Sequence, residues 1–295
     1  MTSPSRQTSP RRSGRTWTGR LRKIIDANVV WIPLALLLVW TLLPLLWSLS
    51  ASFKQPLEVY ESPPRIFGDN PSLDSYRQVL AWPGFWRYSF NSLFLALSST
   101  VLAVILSSFA AYGFARYSFR FRNLLLILIL VPRILPRVSL IVPLYLIMER
   151  LGLLDTYTSL IISYAATAIP LSTWILVGFF AGVPKELEEA AAIDGATLAQ
   201  RLWHIVLPIA FPGMLTVAIF SLREAWNEFP FVLAFTSSSN LRTLPYQLFL
   251  LRDSIGIENW PLVNAFALMT ILPIIILYIA FERRVVAGLT RGAVK

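Results

Sequence analysis

The sequence predicts an all-α membrane protein with six transmembrane helices. The first observation is composition: 56% of the 295 residues are hydrophobic and 14% are charged, with a mean hydropathy of +0.61. A soluble domain carries about 25% charged residues. The second observation is that six apolar runs each reach the roughly 20 residues needed to cross about 30 Å of hydrocarbon. The third is the placement of lysine and arginine, which predicts that both termini are cytoplasmic.

The six runs are predicted to be spans, and several contain prolines that predict kinks. The segment 1–28 before them is basic and polar, which favours a disordered cytoplasmic tail over an organelle targeting peptide. The first run is too long for a signal-peptide core, so it is predicted to remain as an anchor. Residues 283–295 are predicted to be a cytoplasmic tail. The spans are placed at about 29–52, 89–113, 123–147, 159–181, 208–232 and 263–282.

Orientation follows from the basic residues between the runs. The segments 1–28, 114–122, 182–207 and 282–295 together contain 16 lysines and arginines, whereas the alternate segments 53–88, 148–158 and 233–262 contain 7. Basic loops stay in the cytoplasm, so the first set is predicted to be cytoplasmic. Because the net charge of +10 is distributed around apolar runs, no nucleic-acid partner is predicted. The chain has no cysteine, which excludes disulfides and cysteine metal sites, and no metal site is predicted.

The loops on the opposite side have their own patterns. Residues 53–88 are rich in proline with mixed charge, and a short helix is predicted near Ser72–Leu80. Residues 236–262 begin with the polar run T-S-S-S-N and continue with a predicted surface helix at Leu244–Leu251. The loops are too short for a nucleotide-binding fold, so no cofactor is predicted in this chain.

The segment 182–207 is predicted to form a helix, a tight turn and a second helix. Pro184 suits the first position of a helix, where no amide hydrogen is needed. Gly195 can adopt positive φ and end that helix. Thr197 and Gln200 have the spacing of a capping box that opens the next helix, and Pro208 is predicted to mark entry into the fifth span.

One face of the first of these helices carries small residues. Leu187, Ala190, Ala191 and Asp194 follow the i, i+3, i+4, i+7 spacing of a helix. In the same loop, Glu189-Ala190-Ala191 is followed by Gly195 and then by Ile-x-Leu-Pro ending at Pro208. This arrangement is the EAA loop, and the chain resembles the permease subunits of bacterial ABC importers.

Other stretches resemble carbohydrate permeases, in particular the shorter permease subunit of the maltose-type importer. They are P-R-I-F-G-D-N-P-S-L-D-S-Y in the first outer loop, L-G-L-L-D-T at 151–156, A-W-N-E-F at 225–229, and the C-terminal R-R-V-V-A-G-L-T-R-G-A-V-K. The resemblance covers nearly the whole chain.

The resemblance implies a type I ABC importer permease fold in a bacterial inner membrane, with no catalytic residues. ATP and magnesium would be bound by a partner ATPase, present in two copies. A second, different permease chain, an extracytoplasmic solute-binding protein and membrane lipid are the other implied partners. The implied cargo is a sugar, with glycerol phosphate, a polyol or another small solute as alternatives. A secondary transporter is the alternative from a different class.

The resemblance also implies roles for three groups of residues. One group would contact the ATPase from the EAA loop: Glu189, Ala190, Ala191, Asp194, Gly195, Ile205, Leu207 and Pro208. The second would reach the ATPase interface from the C-terminal tail: Gly288, Leu289, Thr290, Gly292, Ala293 and Val294. The third would contact the binding protein on the outer face: Ser237, Ser238, Ser239 and Asn240. His204 is predicted to be a docking or surface residue and not a ligand.

Two arginines in the third predicted span, Arg133 and Arg137, stand where members of the family usually have uncharged residues. Arg133 and Arg137 lie four apart, which would place them on one helix face. Glu224 and Glu228 lie four apart in the fifth span. Counting residues along continuous spans places Arg137 and Glu224 at similar depth in the membrane. Arg133 is placed at a shallower depth than Glu228, so these two are not predicted to pair. Two interpretations remain open: a structural ion pair between spans, or a cavity-lining role toward the substrate.

Overall fold

The computed structural model describes residues 17–254 and 259–293, and every regular element in these residues is helical. A single π-helical segment, Leu202–Val206, joins two of the helices, and short 3₁₀ turns lie at Leu57–Tyr60 and Ser239–Leu241. The helices are α1 (Trp17–Ser52), α2 (Asp74–Leu80), α3 (Phe85–Arg116), α4 (Arg122–Ile134), α5 (Arg137–Arg150), α6 (Tyr157–Ala181), α7 (Lys185–Ile193), α8 (Leu198–Arg201), α9 (Leu207–Trp226), α10 (Pro230–Phe235), α11 (Leu244–Ser254) and α12 (Trp260–Ala293).

Within the described residues, five helical stretches are long and apolar enough to cross a membrane, and α4 with α5 makes a sixth if that bent pair is one span. The first, second, fourth and sixth predicted runs lie inside α1, α3, α6 and α12. The short helices predicted near Ser72–Leu80 and at Leu244–Leu251 are present as α2 and α11.

The predicted N-terminal tail is partly helical, which differs from the expected disorder, and the predicted C-terminal tail is helical over most of its length. The first helix begins at Trp17, inside the segment 1–28, and the last continues to Ala293, through most of 283–295. Extending an existing helix adds one hydrogen bond per residue without a new nucleation cost, so helical structure propagates beyond the apolar runs. Residues 1–16 and 294–295 lie outside the described part of the chain.

The third predicted span is not one continuous helix. It divides into α4 and α5, which are bent by 101° at Leu135 and Pro136. Pro136 has no amide hydrogen, and it holds the preceding residue in the extended region, where Leu135 has ψ of 140°. The prediction that Arg133 and Arg137 share one helix face was therefore wrong, since they lie on opposite sides of this break.

The fifth span also has different bounds from the prediction of 208–232. The helix runs without interruption from Leu198 to Trp226, and Pro208 is not its start. In the π-helical turn the amide of Leu207 donates to the carbonyl of Leu202. The backbone hydrogen bonds of the helix have therefore shifted from the α-helical to the π-helical pattern before Pro208. A break at residues 227–229 then separates α9 from α10.

The core of the bundle is formed by α3, α6 and α9, which pack against one another. Small buried residues such as Ala103, Ala165 and Ala168 let α3 and α6 approach closely, as in other membrane bundles. Hydrogen bonds between helices add to this packing: the Ser172 and Ser221 hydroxyl oxygens lie 3.2 Å apart. By contrast, α1 packs on α12 at the periphery.

The bundle has two ends, which are named here by their helices. The α2 end carries residues 53–84, 151–156 and 236–243, and the α7 end carries 117–121 and 182–197. Of the helices that make up the candidate spans, α1, α4, α5, α6, α9 and α12 contain proline, whereas α3 contains none.

Candidate functional site

The loop at the α7 end has the predicted helix–turn–helix form. The α7 helix begins one residue after Pro184, which is its N-cap instead of its first helical residue. Gly195 has φ of +86°, the left-handed conformation that only glycine adopts freely. The capping box is present, with the Thr197 hydroxyl accepting from the Gln200 amide and the Gln200 side chain accepting from the Thr197 amide. Local sequence signals therefore determine the shape of this loop.

Only some of the residues predicted to contact an ATPase are exposed on this loop. The side chains of Glu189, Ala190 and Asp194 are exposed, as is Gly195, while Ala191 is half-buried. Of the other residues predicted to contact an ATPase, Ile205 and Leu207 are half-buried and Pro208 is exposed, and all three lie beyond α8, further along the helix that runs from Leu198 to Trp226.

Two bulky apolar side chains that the sequence interpretation did not select are also on this surface. Ile193 is 87% exposed and Trp203 is 59% exposed. Large apolar groups in a polar loop are the signal that would have found them, because exposed apolar patches mark surfaces for partner proteins. His204 is exposed, with Nδ1 3.0 Å from the carbonyl oxygen of Gln200.

A buried ion pair attaches α7 to the end of α3. The Nε atom of Arg116 lies 2.5 Å from Oε1 of Glu188, and both side chains are 8% exposed. The Tyr112 hydroxyl donates to Oε2 of the same carboxylate at 2.7 Å, and Nη2 of Arg116 donates to the Val183 carbonyl at 3.0 Å. Glu188 therefore serves as the anchor of α7, a role that the sequence alone did not separate from its acidic neighbours.

We expect Glu188→Ala to destabilise the protein substantially. Removal of one partner of a buried ion pair leaves the other charge uncompensated, at a cost of about 3–5 kcal/mol, and Arg116 would be that charge. The thermal unfolding midpoint of the purified protein measures the effect. Glu186→Ala is the matched control, because Glu186 lies in the same turn but is exposed. Equal midpoints for the two variants would contradict the anchoring role.

The intramembrane charges form a connected cluster across the break in the third span. Arg133 donates from Nη1 to Oε2 of Glu224 at 2.9 Å and also contacts Oε1 through Nη2. Arg137 lies 3.3 Å from Glu224 and 3.2 Å from Glu228. The side chains of the two glutamates are 12% and 4% exposed, and those of Arg133 and Arg137 are 30% and 39% exposed.

Depth counting predicted the contact between Arg137 and Glu224, and the structure shows it. The prediction left Arg133 without a partner, and that was wrong, because Arg133 makes a bidentate contact with the carboxylate of Glu224. The error came from treating the span as one straight helix: the 101° bend at Pro136 removes the simple relation between residue number and depth. Structural and cavity-lining roles for the cluster both stay predictions.

At the α2 end, the segment 236–243 connects α10 to α11 and is called the outer loop below. It contains Ser237, Ser238, Ser239 and Asn240, the residues predicted to contact a binding protein. Ser237, Ser239 and Asn240 are exposed.

Asp155, in the L-G-L-L-D-T stretch, holds the start of the outer loop. Its Oδ1 atom accepts hydrogen bonds from the amides of Ser237 and Ser238, both at 3.0 Å. The amide of Ser238, and then that of Ser237, lowers the pKa of the Asp155 carboxyl by stabilising its charged form. The contact is therefore fully present above the pKa of a free aspartate, and it is lost only as the pH falls through the lowered folded value.

The predicted C-terminal site is only partly described. Gly288, Leu289, Thr290, Gly292 and Ala293 lie in the last turns of α12. Val294 lies outside the described residues. Their role at an ATPase interface stays a prediction.

Comparison with known proteins places this architecture in a family. Residues 103–287 match the family described as "Binding-protein-dependent transport system inner membrane component". The chain belongs to this family. The match includes the α7 end with its EAA loop, the broken third span and the outer loop, so these features are parts of a transporter permease component in a multi-pass membrane protein.

Curated relatives of this permease family match over most of the chain. The sulfoquinovosyl glycerol transport system permease protein SmoH of Agrobacterium fabrum is 39% identical, over 90% of this chain and 92% of the relative. The trehalose/maltose transport system permease protein MalG of Thermococcus litoralis is 35% identical, over 88% and 94%. The trehalose transport system permease protein SugB of Mycobacterium tuberculosis is 36% identical, over 90% and 97%.

Solved structures share the fold of this permease. A bacterial ABC transporter involved in the import of the acidic polysaccharide alginate has a chain that matches with a TM-score of 0.74 and 22% identity, covering 91% of this chain and 98% of that one. A second structure, of the alginate transporter with a pentasaccharide-bound periplasmic protein, matches with a TM-score of 0.66 and 14% identity, covering 92% and 98%. The predicted ABC importer permease fold is confirmed.

Proposed function

We propose that this chain is a permease subunit of an ATP-driven importer for a carbohydrate, coupled to a separate ATPase through the EAA loop. The observation that carries the proposal is the loop at the α7 end: a helix, a turn at Gly195 and a capped second helix, with an exposed acidic and apolar surface. That surface is anchored to the spanning bundle through Glu188. A movement of a docked ATPase would therefore be transmitted to α3.

The cargo is proposed from the relatives, whose names specify sulfoquinovosyl glycerol, trehalose and maltose. All are carbohydrates or carbohydrate conjugates, which favours a sugar over glycerol phosphate or a simple polyol. The family assignment argues against a self-sufficient secondary transporter. The chain is proposed to lie in the bacterial inner membrane with both termini and the α7 end in the cytoplasm, as the basic-residue distribution predicts.

The proposed assembly contains this chain, a second permease of different sequence, two copies of the ATPase and an extracytoplasmic binding protein, surrounded by lipid. ATP and magnesium are proposed to be held by the ATPase. ATP binding closes the ATPase dimer and moves α7, the spans open outward, and the binding protein releases its sugar. Hydrolysis resets the assembly. Coupling requires a structural element with two conformations whose equilibrium is shifted by events at both of the coupled sites. The pair of helices α7 and α3 is the candidate for this element.

The test is reconstitution of the complex that co-purifies with the tagged chain. We expect a second permease and an ATPase to co-purify. Vesicles containing them should accumulate labelled sugars such as maltose, trehalose or sulfoquinovosyl glycerol only when ATP is inside and the loaded binding protein is outside. Glycerol 3-phosphate is the control solute. Uptake driven by an ion gradient without ATP would overturn the proposal, and preference for glycerol 3-phosphate would overturn the sugar assignment.

A further inference from the structure

The outer loop has little regular structure of its own, yet other parts of the chain fix its backbone. A single 3₁₀ turn, Ser239–Leu241, is its only regular element in the described residues. Hydrogen bonds from α3 and from the segment 151–156 hold it at several points. The arrangement leaves Ser239 and Asn240 exposed on a constrained backbone.

Asp155 constrains the first half of the loop through both its backbone and its side chain. Its own amide donates to the Phe235 carbonyl at 2.8 Å, where α10 ends, and its carboxylate accepts from the next two free amides, those of Ser237 and Ser238. Asp155 has φ of +58°, an uncommon conformation for a residue with a side chain, in which aspartate and asparagine are enriched. Hydrogen bonds accepted by a carboxylate are stronger than those between neutral groups.

Asn91 constrains the second half of the loop from inside the bundle. Its side chain is fully buried, and its Nδ2 donates to the carbonyls of Asn240 at 2.7 Å and Arg242 at 2.8 Å. Its Oδ1 accepts from the Tyr157 hydroxyl at 2.7 Å. Both amide hydrogens of Asn91 and its oxygen therefore have partners, which leaves a buried amide with little freedom to choose another arrangement.

Neighbouring residues of α3 extend this attachment. The Ser92 hydroxyl accepts from the amide of Leu244 at 2.9 Å, where α11 begins. Arg87 contacts the side-chain oxygen of Asn240. The loop is thus bound at its start by Asp155 and along its remaining length by one face of α3.

We propose that Asp155 and Asn91 are positioning residues that hold the outer loop in one preset conformation for the binding protein. This inference rests on the proposed function, which supplies the partner. A flexible loop would lose conformational freedom on docking, and that loss weakens association. A loop fixed in advance avoids this loss, so the two residues act on the partner's affinity by holding the loop.

The first experiment measures the loop directly. The chain has no native cysteine, so Ser239→Cys provides a labelling site, and the spin label's mobility is compared in the purified complex, with a complex lacking Ser239→Cys as background. Asp155→Gly removes the carboxylate but keeps a residue suited to positive φ. Asp155→Asn keeps an acceptor oxygen and also tolerates this φ. We expect high mobility with Asp155→Gly and near-native mobility with Asp155→Asn.

The second experiment measures affinity for the partner. In reconstituted vesicles, the loaded binding protein is titrated and the ATPase rate recorded. We expect Asp155→Gly to raise the half-maximal concentration about tenfold or more, since each charge-assisted hydrogen bond contributes roughly the free energy of a tenfold change in binding. The basal ATPase rate without binding protein should stay unchanged. Asp69→Asn is the control, because Asp69 is exposed at the same end and pairs with Arg65.

A deletion of Ser237–Asn240 separates failure of this inference from failure of the proposed function. If the deletion impairs stimulation by the binding protein but Asp155→Gly changes neither label mobility nor the half-maximal concentration, the positioning role is wrong while the loop's role stands. If the deletion itself leaves stimulation unchanged, the loop is only a connector and the proposed contact fails. An equal defect in Asp155→Gly and Asp155→Asn would also overturn the inference, since the second retains the acceptor.

Discussion

Glu224→Leu is expected to reduce the amount of assembled, folded permease more than any other single change in the charged cluster. Glu224 is the shared partner of Arg133 and Arg137. Its removal strands Arg133 inside the membrane region, and loss of one partner of a buried pair costs about 3–5 kcal/mol. Yield of the complex after mild detergent extraction and its thermal midpoint measure the loss.

Double substitutions test which pairing matters. Arg133→Leu combined with Glu224→Leu should recover most of the yield, because Arg137 retains its ion pair with Glu228, which lies 3.2 Å away. Arg137→Leu with Glu224→Leu should recover less, since Arg133 and Glu228 are then both left without a charged partner. Arg223→Gln is the control: Arg223 is exposed and adjacent to Glu224. Additive losses in the first double variant would rule out the structural pairing.

The cavity interpretation makes a different forecast for the same variants. If the exposed part of Arg137 contacts the solute, Arg137→Leu should leave assembly intact while uptake falls, and Glu224→Leu should not rescue uptake. A guanidinium that is 39% exposed at membrane depth is unfavourable against lipid. The exposed side of the cluster is therefore expected to face the partner permease or the translocation pathway.

Gly195→Val is expected to abolish uptake while leaving the binding protein's affinity for solute unchanged. Nothing lies within 4 Å of a Cβ added at Gly195, so crowding is not the reason. The reason is the backbone: φ of +86° is unfavourable for any residue with a side chain, by roughly 1–2 kcal/mol for the left-handed conformation and more for a β-branched residue. The turn would change and α8 would no longer be aligned with α7.

A graded series makes this prediction specific. Uptake and ATPase co-purification should fall in the order glycine, asparagine, alanine, valine, because asparagine tolerates the left-handed region better than alanine. Gly113→Ala is the matched control, since an added Cβ there also meets nothing within 4 Å and the residue is helical. Normal transport by Gly195→Val would contradict the assignment of this loop to coupling.

The features predicted correctly from sequence are those that depend on neighbouring residues. The positive φ of Gly195 and the capping box of Thr197 and Gln200 need only a few residues of context. Most spans were found because length and apolar character suffice. The prolines in the apolar runs predict kinks, but the size of the bend at Pro136, 101°, depends on what packs against both halves.

Apart from the contact between Arg137 and Glu224, the features that depend on distant residues were not predicted. Glu188 differs from Glu186 and Glu189 only because Tyr112 and Arg116 meet it from α3. Asn91 stands as a polar residue in an apolar run, a signal that something must satisfy its amide. Nothing in the sequence identifies the outer-loop carbonyls that do so.

The helix α3 connects the attachment of the outer loop to the attachment of α7. Asn91 in its second turn holds the outer loop, and Arg116 at its last residue holds α7. A helix of 32 residues is about 48 Å long at 1.5 Å per residue, and this one has no proline at which to flex. This helix can therefore move as one rigid body. A force applied at one surface of the membrane would arrive at the other as displacement of a stiff body, without a relay of side-chain rearrangements between them.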